Sequence, residues 1–374
     1  MIPFNKASIT DTEKKYIADS LEKRLCGDGE YTKRVHKCFS DKFGIENILL
    51  TTSCSHALDM TAILANLKEG DEVIVPSYTF VSTVNAFALR GAKPVFCEVE
   101  KDTMNIDASK IEELITPRTR AIYPVHYAGV ICDMDKILDI ARRHNLTVIE
   151  DAAQAVGSLY KGKYAAGTMG DMGCYSFHET KNYSMGEGGA IIVKNKELFK
   201  QAEIIREKGT DRSQFIRGEV DKYTWKAIGS SFLPSDVLAA MLYGQMERFD
   251  EIMQKRMSVW NRYHEAFAES EKQEKLIRPH IPDYSTHNAH MYYIMLPSKE
   301  IRDELIIKLR EKGVQSVFHY IPLHTSPMGE KFGYKEGDLP ITEEYAGRLL
   351  RLPMWADLPD EDIETVIKGV KECV

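Results

Sequence analysis

Cysteine is sparse and unpatterned in this sequence. Seven residues, Cys26, Cys38, Cys54, Cys97, Cys132, Cys174 and Cys373, occur in a chain of 374. An odd number with no C-x-x-C pair argues against a disulfide framework or a Cys-rich zinc site and favours a reducing compartment. None of the eleven histidines falls in H-E-x-x-H. The closest pair, His287 and His290, precedes a strand-like run and reads as structural, so no metal is expected. No apolar run approaches the roughly 18 residues of a membrane span, and MIPFNKASIT has no apolar leader core, so a cytoplasmic protein without membrane contact is expected. Neither sign of charge dominates: 49 Lys+Arg against 56 Asp+Glu leave a net charge of −7. That balance argues against a broad nucleic-acid surface but leaves room for a local basic pocket. The chain lacks G-x-x-x-x-G-K-[ST], and GTMGDMG (167–173) does not stand between a first strand and its helix as a dinucleotide loop would. There is neither an internal repeat nor a low-complexity linker.

What is present is the mix of a soluble globular protein, 43% hydrophobic and 28% charged. The length suggests two or three domains, large enough to fold without staples. Between about 45 and 210, short apolar runs alternate with helical patterns: ILLT (48–51), EVIVP (72–76), PVFCEV (94–99), AIYPV (121–125), TVIE (147–150), CYSF (174–177) and AIIV (190–193). Met134, Ile137, Leu138 and Ala141 form one apolar helical face behind the N-cap candidate Asp133. Such alternation predicts an α/β fold, a mainly parallel sheet flanked by helices, with ligands beyond the strands' carboxyl ends. From about 235 the pattern changes to one long helix carrying Met246 through Phe267. A strand at 291–296, a helix at 300–312, a strand at 314–318 and helices near 342–350 and 359–371 follow. We expect a large α/β domain over 1–247 and a smaller α+β domain over 248–374.

Four turns at strand ends could carry chemistry. In TVIEDAAQ (147–154), Asp151 is either a turn cap or a carboxylate held under a cationic ring nitrogen. CYSFHETKNYSMGEGGAIIV (174–193) holds Ser176, His178 and Lys181 in a polar loop between two strands. Lys181 is either solvated surface or an imine-forming amine, whose neutrality at pH 7 costs about 4.6 kcal/mol unless its surroundings lower its pKa. LLTTSCSHAL (49–58) puts hydroxyls and backbone N–H groups at a helix start, an ordinary N-cap or a phosphate seat. PSYTFVST (76–83) supplies Tyr78 and Phe80 as core or as a ring cover. Together the four match what pyridoxal 5′-phosphate needs: a phosphate seat, an aromatic cover, a carboxylate for the ring nitrogen and a lysine.

Read together, GDEVIVPSYTFVSTVNAF (70–87), GAKPVF (91–96), PVHYAG (124–129), IEDAAQAVGSLYKG (149–162), SFHETKN (176–182), GEGGA (186–190) and HYIPLH (319–324) make the chain resemble, from end to end, the DegT/DnrJ/EryC/StrS sugar aminotransferases. The resemblance implies the aspartate-aminotransferase-like (type I) fold with pyridoxal 5′-phosphate as cofactor. Position by position, it implies Lys181 as the imine lysine and proton carrier, Asp151 on the ring nitrogen and Gln154 near the phenolic oxygen. Phe80 and Ala153 would flank the ring, while Cys54, Ser55 and Ser176 seat the phosphate. His178 would lie near cofactor and substrate. Where the family commonly has Ser-Gly-Thr, this chain has Ser53-Cys54-Ser55. The partner-reaching G-Y-N-Y segment is Gly229-Ser230-Ser231-Phe232, which leaves Ser231 for the neighbouring phosphate.

LCGDGEYTKR (25–34), DTMNID (102–107), the 206–225 segment and IGSSF (228–232) resemble the dTDP-4-amino-4,6-dideoxygalactose transaminase subfamily. That implies L-glutamate as donor, a dTDP-linked 4-keto-6-deoxy sugar as acceptor and a homodimer with shared active sites. Segment 206–225 carries five cations against four carboxylates, a solvated loop or a diphosphate clamp. The resemblance implies Arg217, Lys222 and Tyr223 for the substrate across the dimer, with Tyr320 and His324 near the sugar. Three alternatives are weighed against this. A sugar dehydratase of the same fold would have His in place of Lys181. Another carbon or the gluco epimer as product is not separated by motifs. A non-catalytic regulator is disfavoured by the acidic balance and the retained lysine.

Overall fold

Alternating short strands and amphipathic stretches build a seven-stranded sheet. In this computed structural model, which describes residues 1–374, the strands are β1 (Ile48–Thr51), β2 (Glu72–Pro76), β3 (Lys93–Cys97), β4 (Thr119–Ile122), β5 (Thr147–Asp151), β8 (Met172–Ser176) and β9 (Gly189–Val193). A small hairpin, β6 (Leu159–Tyr160) and β7 (Tyr164–Ala165), intervenes in sequence between β5 and β8. The spatial order is β1-β9-β8-β5-β4-β2-β3. Only β9 runs against the rest, pairing antiparallel with β1 and β8. Sheets covered on both faces need strands apolar throughout, and β1, β2, β8 and β9 are buried at every position. Alternation divides β2 between two cores: Ile74 joins one apolar cluster, Val73 and Val75 the other.

The glycine-rich 167–173 segment serves the sheet. Its N–H groups at Gly167, Met169 and Gly170 donate to the buried Glu150 carboxylate at 2.8, 2.7 and 2.6 Å, and His126 Nε2 completes the shell at 2.9 Å. A Cβ at Gly173 would fall 2.1 Å from the Gly167 carbonyl, so only glycine lets these two stretches touch. The helix Met134–His144 starts as expected: Asp133 accepts from the Lys136 N–H, and Met134, Ile137 and Ala141 are buried.

Three expectations are corrected in the second half. The apolar pattern from Met246 to Phe267 forms two helices, Asp236–Glu247 and Phe249–Ala266, instead of one. At Arg248 the N–H bonds to Gln245 three residues back, and its guanidinium is drawn aside to Glu13 and Glu251. The helix expected near 342–350 ends at Arg348 and gives way to β12 (Leu349–Leu352). This strand is the centre of a three-stranded antiparallel sheet, between β10 (Tyr292–Met295) and β11 (Val317–Phe318). The strand expected over 314–318 enters that ladder only at its last two residues, because Val314 bridges Ile2 near the N-terminus. Helices Lys299–Glu311 and Asp360–Cys373 cover one face through Leu305, Leu309, Val366 and Val370. The other face meets the large sheet through Leu349, Tyr293, Tyr78 and Tyr127.

Candidate active site

A cavity of about 470 Å³ opens where β5 and β8 end and the helix Cys54–Leu64 begins. Parallel strands leave this place free, because their crossover helices pack along the sheet and not across its end. Asp151, the last residue of β5, is buried beneath it. Its Oδ2 accepts from Thr83 Oγ1 at 2.7 Å and its Oδ1 from the Ala153 N–H at 3.2 Å. Burial pushes the carboxyl above the ordinary aspartate value, and those two bonds pull it back in part. No Lys or Arg pairs with it.

Lys181 follows β8 in the same cavity and forms no ion pair. Burial lowers its ammonium from the ordinary lysine value, with Asp151 acting in the opposite sense. Both shifts favour neutral forms at a site that holds one acid and one amine. The helix Cys54–Leu64 presents its first N–H groups to the cavity, with Ser53 as N-cap accepting from His56 N–H at 3.1 Å. Ser55 Oγ lies 2.6 Å from Ser82 Oγ. A Cβ at Gly189 would come within 2.4 Å of the Cys54 nitrogen, so glycine there lets β9 lie against the helix start. Ser176, at the end of β8, adds another hydroxyl to the lining.

Ala153, Gln154, Phe80, Tyr320 and His178 also line the cavity. Gln154 is oriented by the Ala128 N–H on its Oε1 (2.7 Å), and its Nε2 donates to the Tyr320 hydroxyl at 3.3 Å. Phe80 stands 57% exposed on the rim, its ring 6.2 Å from that of Tyr320. His178 is half-buried, with Nδ1 at 2.9 Å from Thr180 Oγ1 and Nε2 at 3.5 Å from Glu187.

Other expected residues lie elsewhere. His324 is corrected outright: it is fully buried outside the cavity. Its Nδ1 meets Ser77 Oγ at 2.7 Å and its Nε2 meets Glu343 at 2.8 Å, leaving no ring nitrogen for a sugar. Ser231, Arg217, Lys222 and Tyr223 belong to an exposed arm and are not brought to this chain's own cavity. Arg217 there pairs with Glu203 and Glu219, each at 2.7 Å, whereas Lys222 has no ion pair. Three further residues line the cavity: His290, which reads as structural in the sequence, and His319 and Arg351, to which the sequence assigns no role. His290 Nδ1 bonds Asn182 Oδ1 at 2.9 Å and His319 Nδ1 the Tyr127 hydroxyl at 3.0 Å. The HYIPLH segment contains His319 but implies a role only for Tyr320 and His324. For Arg351 the available signal was a lone charge inside the apolar run LLRLP.

An amine without a partner, a buried carboxylate without a cation and a hydroxyl-lined helix start define the pocket of a pyridoxal-phosphate enzyme. The comparisons carry this to a family. The sequence profile of the DegT/DnrJ/EryC1/StrS aminotransferases matches residues 7–371, and the chain belongs to that family. GDP-perosamine synthase of Caulobacter vibrioides is 34% identical over 365 residues, 96% of this chain and 95% of that protein. The crystal structure of the aminotransferase TlmJ from Streptoalloteichus hindustanus, 30% identical, superposes over 100% of this chain and 98% of its own with a TM-score of 0.91. Spr1654 from Streptococcus pneumoniae, solved in PMP and PLP forms, gives 26% identity for the PMP form, 100% and 97% coverage and a TM-score of 0.91. The fold is therefore that of the pyridoxal-phosphate aminotransferases, and pyridoxal 5′-phosphate is the cofactor. No helix is long and apolar enough to cross a membrane.

Proposed function

We propose that this aminotransferase moves an amino group from L-glutamate to C4 of a nucleotide-linked 4-keto-6-deoxy sugar. The first candidate is dTDP-4-keto-6-deoxy-D-glucose, giving dTDP-4-amino-4,6-dideoxy-D-galactose. The observation that carries the reading is the unpaired Lys181 amine sharing one cavity with the buried Asp151. A relative named for a GDP-linked sugar supports a nucleotide sugar as acceptor, and the subfamily segments support the dTDP form. When bound, the cofactor supplies the carbonyl that takes and returns the amino group, and a ring that accepts electrons.

Lys181 Nζ takes the proton from the donor's α-carbon and later delivers one to C4 of the sugar. Asp151 would hold a positive charge at the ring nitrogen. Cys54 and Ser55, with the Ser176 hydroxyl, hold the phosphate by hydrogen bonds at the helix start. Phe80 and Ala153 would confine the ring, and Gln154, tied to Ala128 and Tyr320, would serve its oxygen. His178 and Tyr320 face the sugar. The functional unit is a homodimer in which the arm at 206–232 reaches a second copy's cavity, bringing Ser231 to the phosphate and Arg217, Lys222 and Tyr223 to the diphosphate. That arm exposes Trp225 and Ile228, each at 77%, as an interface segment would in a separated chain.

The test is incubation of the holoenzyme with glutamate and a panel of dTDP-, UDP- and GDP-linked 4-keto sugars, with products assigned by NMR. Amination at C4 with galacto stereochemistry and a clear preference for dTDP is expected. Amination at another carbon, the gluco epimer or inactivity toward every member refutes the assignment. For the arm, Lys222→Glu should raise the KM for the sugar nucleotide about 10-fold or more and move the glutamate KM by less than about 2-fold. Equal effects on both would remove Lys222 from the diphosphate site.

A further inference from the structure

Glu150 and Asp151 are consecutive buried carboxylates with opposite settings. An ionised carboxylate offers about four lone-pair sites. Glu150 fills them with the N–H groups of Gly167, Met169 and Gly170 and with His126 Nε2, so nothing is left for a ligand. Asp151 lines the cavity and takes two protein donors only. Thr83 Oγ1 reaches its Oδ2 at 2.7 Å, and the Ala153 N–H reaches its Oδ1 at 3.2 Å. These donors come from different elements, the helix Val81–Ala88 and the turn after β5, and together they fix the plane of the carboxylate. The bond to Thr83 is the shorter of the two.

A second hydroxyl stands behind the first. Thr79 Oγ1 lies 2.8 Å from Thr83 Oγ1, and both residues are buried. Charge sets the direction of this chain. A carboxylate accepts and cannot donate, so Thr83 spends its one proton on Asp151 and its oxygen becomes the acceptor for the Thr79 hydroxyl. Each bond in such a chain polarises the next, and the last one, to an anion, is charge-assisted. A helical threonine commonly turns its hydroxyl back to a carbonyl of its own helix, whereas Thr83 turns it across to the end of β5.

We propose that Thr83, backed by Thr79, is the positioning residue that keeps Asp151 ionised and oriented for the cofactor's ring nitrogen. The assignment rests on Asp151 serving that nitrogen, as in the reaction above. Burial drives the carboxyl toward its neutral form, and the Thr83 hydroxyl is the first of the contacts that oppose it. The titratable neighbours of Asp151 are Lys181, His126, Cys54, Cys174, Tyr123 and Tyr320. Burial pushes up both thiols and both phenols, so they stay neutral, and it penalises the lysine's ammonium. His126 is spent on Glu150. With no cation bonded to it, the anion depends on its hydrogen-bond donors.

The test uses Thr83→Val, Thr83→Ser and Thr79→Val in the cofactor-loaded enzyme, with Asp151→Asn as the reference. Turnover and KM are read beside the NMR shift of the ring nitrogen in isotope-labelled cofactor, which reports whether that nitrogen carries a proton. Valine keeps the shape of threonine and removes the hydroxyl. Thr83→Val should lower turnover about 10- to 30-fold, with both KM values within about 2-fold of the wild type. Its ring-nitrogen shift should move toward that of the unprotonated ring, because a carboxylate that has lost its donor holds the shared proton more tightly. Thr83→Ser keeps the hydroxyl and should stay within about 3-fold in turnover, with the wild-type shift. Thr79→Val acts one bond further out and should cost about 3-fold, with a smaller shift in the same direction. A Thr83→Val enzyme with the wild-type shift overturns the proposal whether or not turnover falls, since a packing defect slows the enzyme without moving the proton. So does a Thr83→Ser enzyme as impaired as the valine variant. Should Thr83→Val fail to fold, Thr79→Val decides, and an unmoved shift in it overturns the proposal. If Asp151→Asn also leaves the shift unmoved, the ring-nitrogen role of Asp151 falls with it. If Asp151→Asn moves the shift and Thr83→Val does not, that role stands and the hydroxyl chain alone falls.

Discussion

Lys181→Ala should lower transamination by at least about 10⁴-fold, because in the proposed reaction one side chain serves as both nucleophile and proton carrier. The purified variant should also lose the visible absorption of the loaded wild-type enzyme, and glutamate should no longer alter its spectrum. The fold should survive: the amine makes no ion pair, and burial penalises its charged form, so its removal leaves no partner stranded. A thermal melt at or above the wild-type temperature separates this outcome from misfolding. Lys181→Arg should be as inactive as the alanine variant, since a guanidinium is never neutral at working pH. A Lys181→Ala protein with ordinary turnover would sink the assignment. The effect belongs to the chemistry step and should persist at saturating concentrations of both substrates.

That Lys181's place at the end of the sheet is legible in the sequence is a matter of strand spacing. β8 and β9 are short, fully buried and joined by a polar loop, so any loop lysine near Ser176 lies at the sheet's carboxyl end. The same reasoning reached Asp151, because TVIE runs directly into it. It also reached the helix start at Ser53–Ser55. These residues are local to strand ends, and period and polarity mark strand ends well. Arg351 was out of reach for the opposite reason. Leu349–Leu352 is only four residues long and follows a helix without a break. Its strand character comes from pairing with Tyr292–Met295, more than fifty residues away, which no local pattern encodes. His324 stands in a matching motif but is buried away from the cavity. Its nitrogens are instead spent on Ser77 and Glu343, two groups distant in sequence. The arm at 206–232 is a third case: its charges nearly cancel in the sequence, and a single chain gives them no cavity. The use proposed for them depends on a second copy.

Asp151→Asn is expected to cost about 10³-fold in turnover with little loss of cofactor, since one preorganised charge is removed from the site of developing charge. The structure isolates that charge well. Asp151 is fixed by the β5–β8 register opposite Cys174, and its two oxygens are already held by Thr83 and by the Ala153 N–H. Asparagine fills the same volume and keeps an oxygen for one of those donors, so position is retained while the anion is lost. The phosphate seat proposed at Cys54, Ser55 and Ser176 is untouched, so the variant should still take up cofactor with Kd within about 10-fold of the wild type. Stability should not fall, because burial raises this carboxyl above its ordinary value and a neutral amide escapes that penalty. Asp151→Glu tests geometry with charge preserved. Its extra methylene must push into the packed space around Thr83, and its activity should fall between those of the wild type and the asparagine variant. Turnover of Asp151→Asn within about 10-fold of the wild type, at full cofactor occupancy, would show that the carboxylate only caps its turn. The local reading of TVIEDAAQ as a plain strand end would then be the correct one.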